Sequence, residues 1–242
     1  MIYLGIDDTD VPGAPGTNQL ARALAADLAG RYRCVLIVRH QLLQDPRVPC
    51  TTKNSSASLL LSPANGSALE PLVEQLRAFL CGKFVEGSDP GLCVTVTVPE
   101  PITAFAQRCQ RELVTQQEAR RLAGQHGIHL EGFGGTEDGV IGALAAVGLV
   151  AEGNDGRVVQ IDAWPDDLAG PQDLETLQAR GVEVRCFEKG TPVSSGTVDV
   201  GKHLRPNYRQ NKVVLFARPA THLRSVPGEC HGATCWSAVR LS

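Results

Sequence analysis

The stretch that most constrains this chain is its beginning, where the apolar residues Ile2 to Ile6 run directly into the carboxylates Asp7, Asp8 and Asp10. An apolar run with a β-branched bias and an abrupt polar end is typical of a buried strand. Acidic side chains this close together repel one another unless water, a cation or basic partners offset their charge. Magnesium held by carboxylates and substrate phosphates is a common solution, so these three residues are predicted metal ligands; the alternative is a solvated turn.

A helix is predicted after the acidic stretch, because Leu20, Leu24 and Leu28 recur at helical spacing and Gly30 follows them. The acids would therefore lie in a strand-to-helix loop, where α/β proteins often bind ligands. Thr17 has two interpretations: it is the N-cap of this helix, which is the structural default, or its hydroxyl contacts or accepts phosphate.

The fold class predicted is α+β, an α/β sandwich of two small domains, one of them βαββαβ and the other mixed α/β. Up to residue 100 the predicted order is βαββαβ, with later strands near residues 34–38, 57–61 and 92–98 and a second helix near 69–80. This is the order of the ferredoxin-like fold, an antiparallel sheet with two helices on one face. Pro99-Glu100-Pro101 predicts a domain boundary.

The second half of the chain centres on a glycine loop, Gly132 to Gly139, between a short strand and an apolar helix. A helix near 102–113 and one that starts with the capping box Thr115 to Glu118 precede it. The same reading predicts later strands at 158–161, 182–187 and 212–216 and a helix near 173–180.

The glycine loop matches neither the dinucleotide fingerprint nor a Walker A loop. It could still turn backbone N–H groups toward an anion, which makes Gly134, Gly135, Thr136 and Gly139 candidate nucleotide contacts. Glu137 and Asp138 would repel a bare phosphate, although a metal ion could reconcile them. A tight turn into a buried helix is the alternative.

Three weaker signals lie elsewhere. Lys53 and Asn54, in a polar loop, could contact phosphates, although exposed lysines are usually only solubilising. The basic stretch from Lys202 to Lys212 could contact RNA through Arg205, Arg209 and Lys212, or it is a solvated connection. Cys230, His231 and Cys235 resemble half of a zinc site.

Composition excludes some classes of function. The 242 residues carry a net charge of −3, and they contain no long run of basic or acidic residues. The sequence therefore does not predict a general surface for binding polyanions. The longest apolar run is too short to span a bilayer, and the N-terminus lacks a basic signal region. Scattered cysteines suggest buried thiols, so we expect a soluble, cytoplasmic protein with no membrane partner.

Three segments taken together resemble the archaeal tRNA(Ile) 2-agmatinylcytidine synthetase family. They are Gly5 to Asp10, Arg39-His40 with Asp45 to Pro49, and Gly139 to Gly148. That family uses ATP to activate a tRNA cytidine and attach agmatine. The resemblance implies a kinase-like domain at 1–100 and a ferredoxin-like domain at 101–242, whereas the strand count places the ferredoxin-like order first.

The resemblance also implies roles for individual residues. Asp7, Asp8 and Asp10 would bind ATP phosphates through Mg²⁺, Thr17 would accept phosphate, and Lys53 and Asn54 would fall in a nucleotide-contacting segment. In that family an OB-fold and a zinc-ribbon grip the tRNA, and we do not expect both of them in a chain of this length.

The function predicted is therefore an ATP- and Mg²⁺-dependent phosphotransferase or ATP-driven synthetase, with an unknown small-molecule or RNA acceptor smaller than or different from whole tRNA. No strong general nucleic-acid binding is expected. The alternatives are a non-catalytic nucleotide- or RNA-binding module and a metal-binding protein without a nucleotide.

Overall fold

The protein is described by a computed structural model, which places residues 1–48, 50, 53–64, 69–162, 168–220 and 234–241. Contacts divide the chain into two compact units. The first is Met1–Glu152 with Val159–Ala163, and the second is Gly153–Val158 with Trp164–Ser242. The assignment of separate kinase-like and ferredoxin-like domains that meet at residue 100 stays a prediction.

The first unit begins with the predicted βαββαβ order. Its elements are β1 Ile2–Asp7, α1 Thr17–Asp27, β2 Tyr32–Gln41, β3 Ser55–Pro63, α2 Leu69–Lys83, β4 Gly91–Thr95, α3 Glu100–Arg108, α4 Gln116–Gln125, β5 His129–Gly132 and α5 Gly139–Glu152. The five strands pair in the order β5-β4-β1-β3-β2, and every pairing is antiparallel. The mixed α/β, largely antiparallel architecture confirms the α+β class.

Strand β1 is buried on both faces, which explains its unbroken apolar sequence. Ile2, Leu4 and Ile6 share a core cluster with side chains of α1 and α2. On the other face, Gly5 lies so close to the Ala143 carbonyl of α5 that a Cβ at residue 5 would overlap it. Helices α3, α4 and α5 share a second core cluster, in which Phe105 is almost wholly buried.

Local sequence accounts for the start of α4. The Thr115 side chain accepts a hydrogen bond from the Glu118 backbone N–H, so the predicted capping box is confirmed in its N-terminal half. Helix α5 is apolar on all sides, and 11 of its 14 residues are buried. A helix of this kind is stable only inside a protein core or a membrane. None of the helices in the described part of the chain is long and apolar enough to cross a membrane.

The second unit holds shorter elements. They are β7 Pro171–Asp173, α6 Leu174–Ala179, β8 Val182–Cys186, β9 Thr197–Asp199, β10 Asn207–Arg209, β11 Lys212–Pro219 and β12 Cys235–Ala238, while β6 Arg157–Ile161 contributes residues to both units. Strand β11 pairs with β8 in parallel and with β10 and β12 in antiparallel orientation. The strands predicted at 158–161, 182–187 and 212–216 are thus present, as is the helix near 173–180.

Candidate functional site

Three loops of the first unit leave the sheet at the same end. In the strand register Asp7 faces Gly91, and Gly91 in turn faces Gly132. Because these pairings are antiparallel, the residues after Asp7, before Gly91 and after Gly132 all leave the sheet at the same end of its strands. A hydrogen bond from the Phe133 N–H to the Pro90 carbonyl, at 2.8 Å, continues this alignment. The acidic and glycine loops are therefore neighbours.

The acidic loop, residues 7–17, is held together by side-chain hydrogen bonds. The Thr9 hydroxyl donates to Thr17 Oγ1 at 3.2 Å, and the Thr17 hydroxyl donates to Asp10 Oδ1 at 3.3 Å. Asp8 has a φ of 49°, in the left-handed region that costs a non-glycine residue about 1 kcal/mol. Backbone strain of this kind clusters at functional loops.

Thr17 is not the N-cap of α1, so the structural default predicted for it is wrong. Gly16 occupies the N-cap position, and Thr17 is the first residue of the helix. Its hydroxyl bonds to Asp10 and Thr9 rather than capping a backbone N–H. The structure therefore brings Thr17 together with the acids, as its functional interpretation requires.

Two of the acids are hard to ionise. Asp7 packs against α5 at Gly142, where any side chain would overlap the Asp7 carboxyl. Burial, and then the charge of Asp8, raises the pKa of Asp7 to about 7. Burial, followed by the charges of Asp89, Asp10 and Asp138, raises the pKa of Asp8 to about 6. Every side-chain charge behind these two pKa shifts is negative, so a cation bound beside them would favour the ionised carboxylates.

The glycine loop, residues 132–139, holds a carboxylate. Asp89 Oδ2 accepts hydrogen bonds from the Thr136 N–H at 3.1 Å and from the Thr136 hydroxyl at 2.5 Å. Gly134 packs against the ring of Phe84, and Gly135 leaves the space that the Asp89 carboxylate fills. The charge of Glu137 is offset by an ion pair with Arg120.

Sequence reasoning missed Asp89 and its segment. Residues 84–90 connect the two loops, since Gly87 lies beside Val11 of the acidic loop and Asp89 bonds to Thr136 of the glycine loop. The signal was Ser88-Asp89-Pro90, residue types common in turns, directly before β4. Without the pairing of β4 with both β1 and β5, nothing distinguished this turn from others.

Lys53 and Asn54 have no hydrogen bond to the acidic loop among the described contacts. The Asn54 side-chain amide donates to the Leu43 carbonyl at 2.9 Å, and Lys53 is exposed. Their role as nucleotide contacts stays a prediction, as do the nucleotide contacts predicted for Gly134, Gly135, Thr136 and Gly139. Nearby, His40 is wholly buried and bonds to Ser58 at 2.8 Å, which is the environment of a core residue.

The basic stretch from Lys202 to Lys212 lies in the second unit, and two of its side chains bond to neighbouring residues. Lys212 pairs with Glu183 at 2.9 Å, and the Arg209 guanidinium donates to the Tyr208 carbonyl at 2.8 Å. Tyr208, the aromatic residue of this stretch, is buried, so its ring is not a platform for a nucleic-acid base. Cys235 is buried in β12, while Cys230 and His231 lie outside the described residues.

The acidic loop fits a magnesium ion and phosphates better than a metal held by protein alone. Within the residues that the structure describes, no group of three or more His, Cys, Asp or Glu side chains is arranged to hold a metal ion. Magnesium usually takes only one or two carboxylates, and water and substrate phosphates complete its six ligands. Asp8 and Asp10, whose charges interact and of which Asp10 accepts from the Thr17 hydroxyl, would provide such a partial set.

The fold and this geometry define an α+β protein with an acidic site at one end of an antiparallel sheet. Comparison with known proteins shows which proteins this chain is similar to. The chain is 29% identical over 153 residues to the tRNA(Ile2) 2-agmatinylcytidine synthetase TiaS of Pyrococcus horikoshii, a match that covers 61% of this chain and 35% of the relative. It is 31% identical over 155 residues to TiaS of Methanocorpusculum labreanum, which covers 62% and 35%. No protein-family model matches the chain.

Solved structures show the same fold. A TiaS–tRNA(Ile2)–ATP complex superposes with a TM-score of 0.53 at 24% identity, covering 61% of this chain and 36% of that protein. A TiaS–tRNA(Ile2)–AMPCPP–agmatine complex gives a TM-score of 0.53 at 22% identity, covering 60% and 35%. Over the matched part the chain is thus similar to the tRNA(Ile2) 2-agmatinylcytidine synthetase family, and the predicted resemblance is confirmed. It spans about a third of the length of these relatives.

Proposed function

We propose that this chain is an ATP- and Mg²⁺-dependent phosphotransferase or synthetase whose reaction takes place at the acidic loop. The observation that carries the proposal is the cluster of Asp7, Asp8 and Asp10, with Thr17 bonded to Asp10, in which no basic side chain contributes to the raised pKa values of Asp7 and Asp8. Phosphoryl transfer asks the protein mainly for cation-held phosphates and positioned groups, and this loop supplies both.

Asp8 and Asp10 would hold the cation, which when bound neutralises charge on the phosphates of ATP. Asp7, buried against Gly142 of α5, fixes the start of the loop. The loop is therefore suited to a nucleotide that arrives with its cation, since a bare polyphosphate would be repelled by the charges of Asp8 and Asp10.

Thr17 has the geometry of a phosphate acceptor. Its hydroxyl already donates to Asp10 Oδ1, so Asp10 is placed to take the proton as the Thr17 oxygen bonds to the γ-phosphorus and the bond to ADP breaks. This arrangement supports the role that the family resemblance implies for Thr17. Phosphate held there could pass to a second acceptor.

The acceptor is either an RNA or a small molecule. Relatives of this chain are tRNA-modifying synthetases, and one is seen with tRNA(Ile2), AMPCPP and agmatine. These relatives give no support to the prediction that strong nucleic-acid binding is absent. We propose an acceptor smaller than or different from whole tRNA, and a screen of amines and RNAs with labelled ATP would identify it.

We also propose that β1 to β4 with α1 and α2 form a ferredoxin-like unit. The strand order β4-β1-β3-β2 and the common core of α1 and α2 support this topology. It places the acidic loop at the end of a central strand, where neighbouring strands hold it on both sides.

The test of function is ATP turnover by the purified chain with γ-labelled ATP and Mg²⁺. We expect Asp7→Asn and Asp8→Asn each to abolish Mg²⁺-dependent turnover with an unchanged circular dichroism spectrum. Thr17→Val should also remove any label transferred to the protein, whereas Thr103→Val, on the exposed side of α3, serves as a matched control. Equal ATP consumption by wild type and the Asp7→Asn/Asp8→Asn double variant would refute the proposal. Binding of ATP without any product would favour a non-catalytic nucleotide-binding module instead.

A further inference from the structure

The glycine loop contains an anion site that one of the chain's own side chains fills. Asp89 Oδ2 accepts from both the backbone N–H and the hydroxyl of Thr136. The other carboxylate oxygen lies where a side chain on Gly135 would stand, so residue 135 must be glycine for the carboxylate to fit. Gly135 also has a φ of 55°, in the left-handed region that favours glycine.

The donors that hold this carboxylate are those that bind phosphate oxygens in other proteins. Backbone N–H groups in glycine-rich turns, together with a serine or threonine hydroxyl, form concave sites for anions. A carboxylate oxygen and a phosphate oxygen accept the same hydrogen bonds, so the two groups compete for Thr136. The bound Asp89 shows that this loop is already shaped around an anion.

We propose that Asp89 is an internal competitor of the nucleotide, and that a phosphate group binds Thr136 and the Gly135 turn by displacing it. This inference rests on the proposed function for the identity of the ligand, a polyphosphate, and adds how the ligand gains access. Only hydrogen bonds exchange in this step, and no covalent bond changes.

Displacement of Asp89 explains why the nucleotide would need a cation. Asp89 is the strongest charged neighbour of Asp8, and Asp138 also faces Asp8. A polyphosphate that entered alone would add further negative charge beside a carboxylate it had just released. Asp8 and the released Asp89 would hold a divalent cation, whose charge would offset that repulsion.

The test is binding of inorganic tripolyphosphate to the full chain by calorimetry, in EDTA and in Mg²⁺. Asp89→Asn keeps an oxygen that accepts from Thr136, so the loop should stay folded while the competitor loses its charge. We expect this variant to bind tripolyphosphate in EDTA roughly tenfold more tightly than wild type, the ratio that one charge-assisted hydrogen bond corresponds to. Asp89→Ser provides the same comparison if Asp89→Asn does not fold.

The matched control is Asp138→Asn, which removes another negative charge near Asp8, an exposed carboxylate of the glycine loop that has no hydrogen bond to Thr136 among the described contacts. We expect it to change affinity by less than about threefold, since exposed charges are screened by solvent and salt. Adding Thr136→Val to Asp89→Asn should cancel most of the gain, because the phosphate loses a donor.

The outcomes separate this inference from the proposed function. Equal gains in Asp89→Asn and Asp138→Asn would reduce the effect to net charge and overturn the inference. Weaker binding by Asp89→Asn would make Asp89 a ligand or support of the site, which also overturns it. Tighter binding of tripolyphosphate by a chain that consumes no ATP would sustain the inference while the proposed function fails.

Discussion

The two polar loops at the end of the sheet differ in how their charges are balanced. In the glycine loop, Arg120 offsets Glu137, and Thr136 is bonded to Asp89. In the acidic loop, burial and like charges raise the pKa values of Asp7 and Asp8, and Asp8 has a strained backbone. The charges of the glycine loop are offset by its own hydrogen bonds and ion pair. The buried carboxyls of the acidic loop repel one another, and a bound cation would reduce that repulsion. The difference identifies the acidic loop as the centre of the site.

We expect the largest effect on the acidic loop from Gly142→Ala, which tests whether the contact of Asp7 with α5 matters. The new methyl group would overlap the Asp7 carboxyl and push the acidic loop away from α5. We expect ATP turnover to fall by about two orders of magnitude and the free energy of unfolding by about 2 kcal/mol, the cost typical of overpacking. Gly124→Ala is the control, because a methyl group there meets open space on α4 and should stabilise the protein by up to about 1 kcal/mol. Parallel activity assays and urea unfolding would measure both variants, and full activity of Gly142→Ala would show that the contact with Asp7 is unimportant.

We expect a smaller effect of pH on stability, because the buried Asp7 carboxyl of the acidic loop titrates near neutral pH. Because the folded pKa of Asp7 is about 7, above its ordinary value of 3.8, protonated Asp7 stabilises the fold. That stabilisation is fully present below pH 3.8 and is lost as the pH rises through about 7. In EDTA, the free energy of unfolding of Asp7→Asn relative to wild type should therefore rise by about 3 kcal/mol between pH 5 and pH 8.

Urea unfolding at the two pH values measures this difference. Asp45→Asn is the control, since Arg47 holds the pKa of that exposed carboxyl below its usual range, where it does not titrate between pH 5 and pH 8. An Asp7→Asn variant with the same pH profile as wild type would show that Asp7 is not the buried carboxyl described here.

Much of this molecule follows from local sequence, and the rest depends on long-range pairing. The βαββαβ order, the α4 cap and the acidic loop could be predicted because periodicity, capping residues and charge clusters act over a few residues. The partnership of β4 with β5 joins residues about forty positions apart, and no local pattern encodes it. Asp89 was missed for this reason, since its role exists only once β4 lies between β1 and β5.

Thr17 shows a second limit of the sequence. A threonine between a glycine turn and an apolar helix has the signature of an N-cap. In the structure the helix begins one residue earlier than this signature implies, so that Gly16 is the N-cap. In the structure the Thr17 hydroxyl donates instead to Asp10, a contact across the acidic loop. Side-chain contacts of this kind within a loop are visible only in the structure.

The measurement that tests the central claim most directly is the thermal stability of wild type and Asp8→Asn with ATP, in Mg²⁺ and in EDTA. If the acidic loop binds phosphates through a cation, ATP with Mg²⁺ should stabilise wild type by about 3 kcal/mol at a hundredfold excess over Kd. ATP in EDTA should have almost no effect, and Asp8→Asn should lose most of the response to Mg²⁺. Equal stabilisation of wild type by ATP in EDTA, or a full response in Asp8→Asn, would contradict the account.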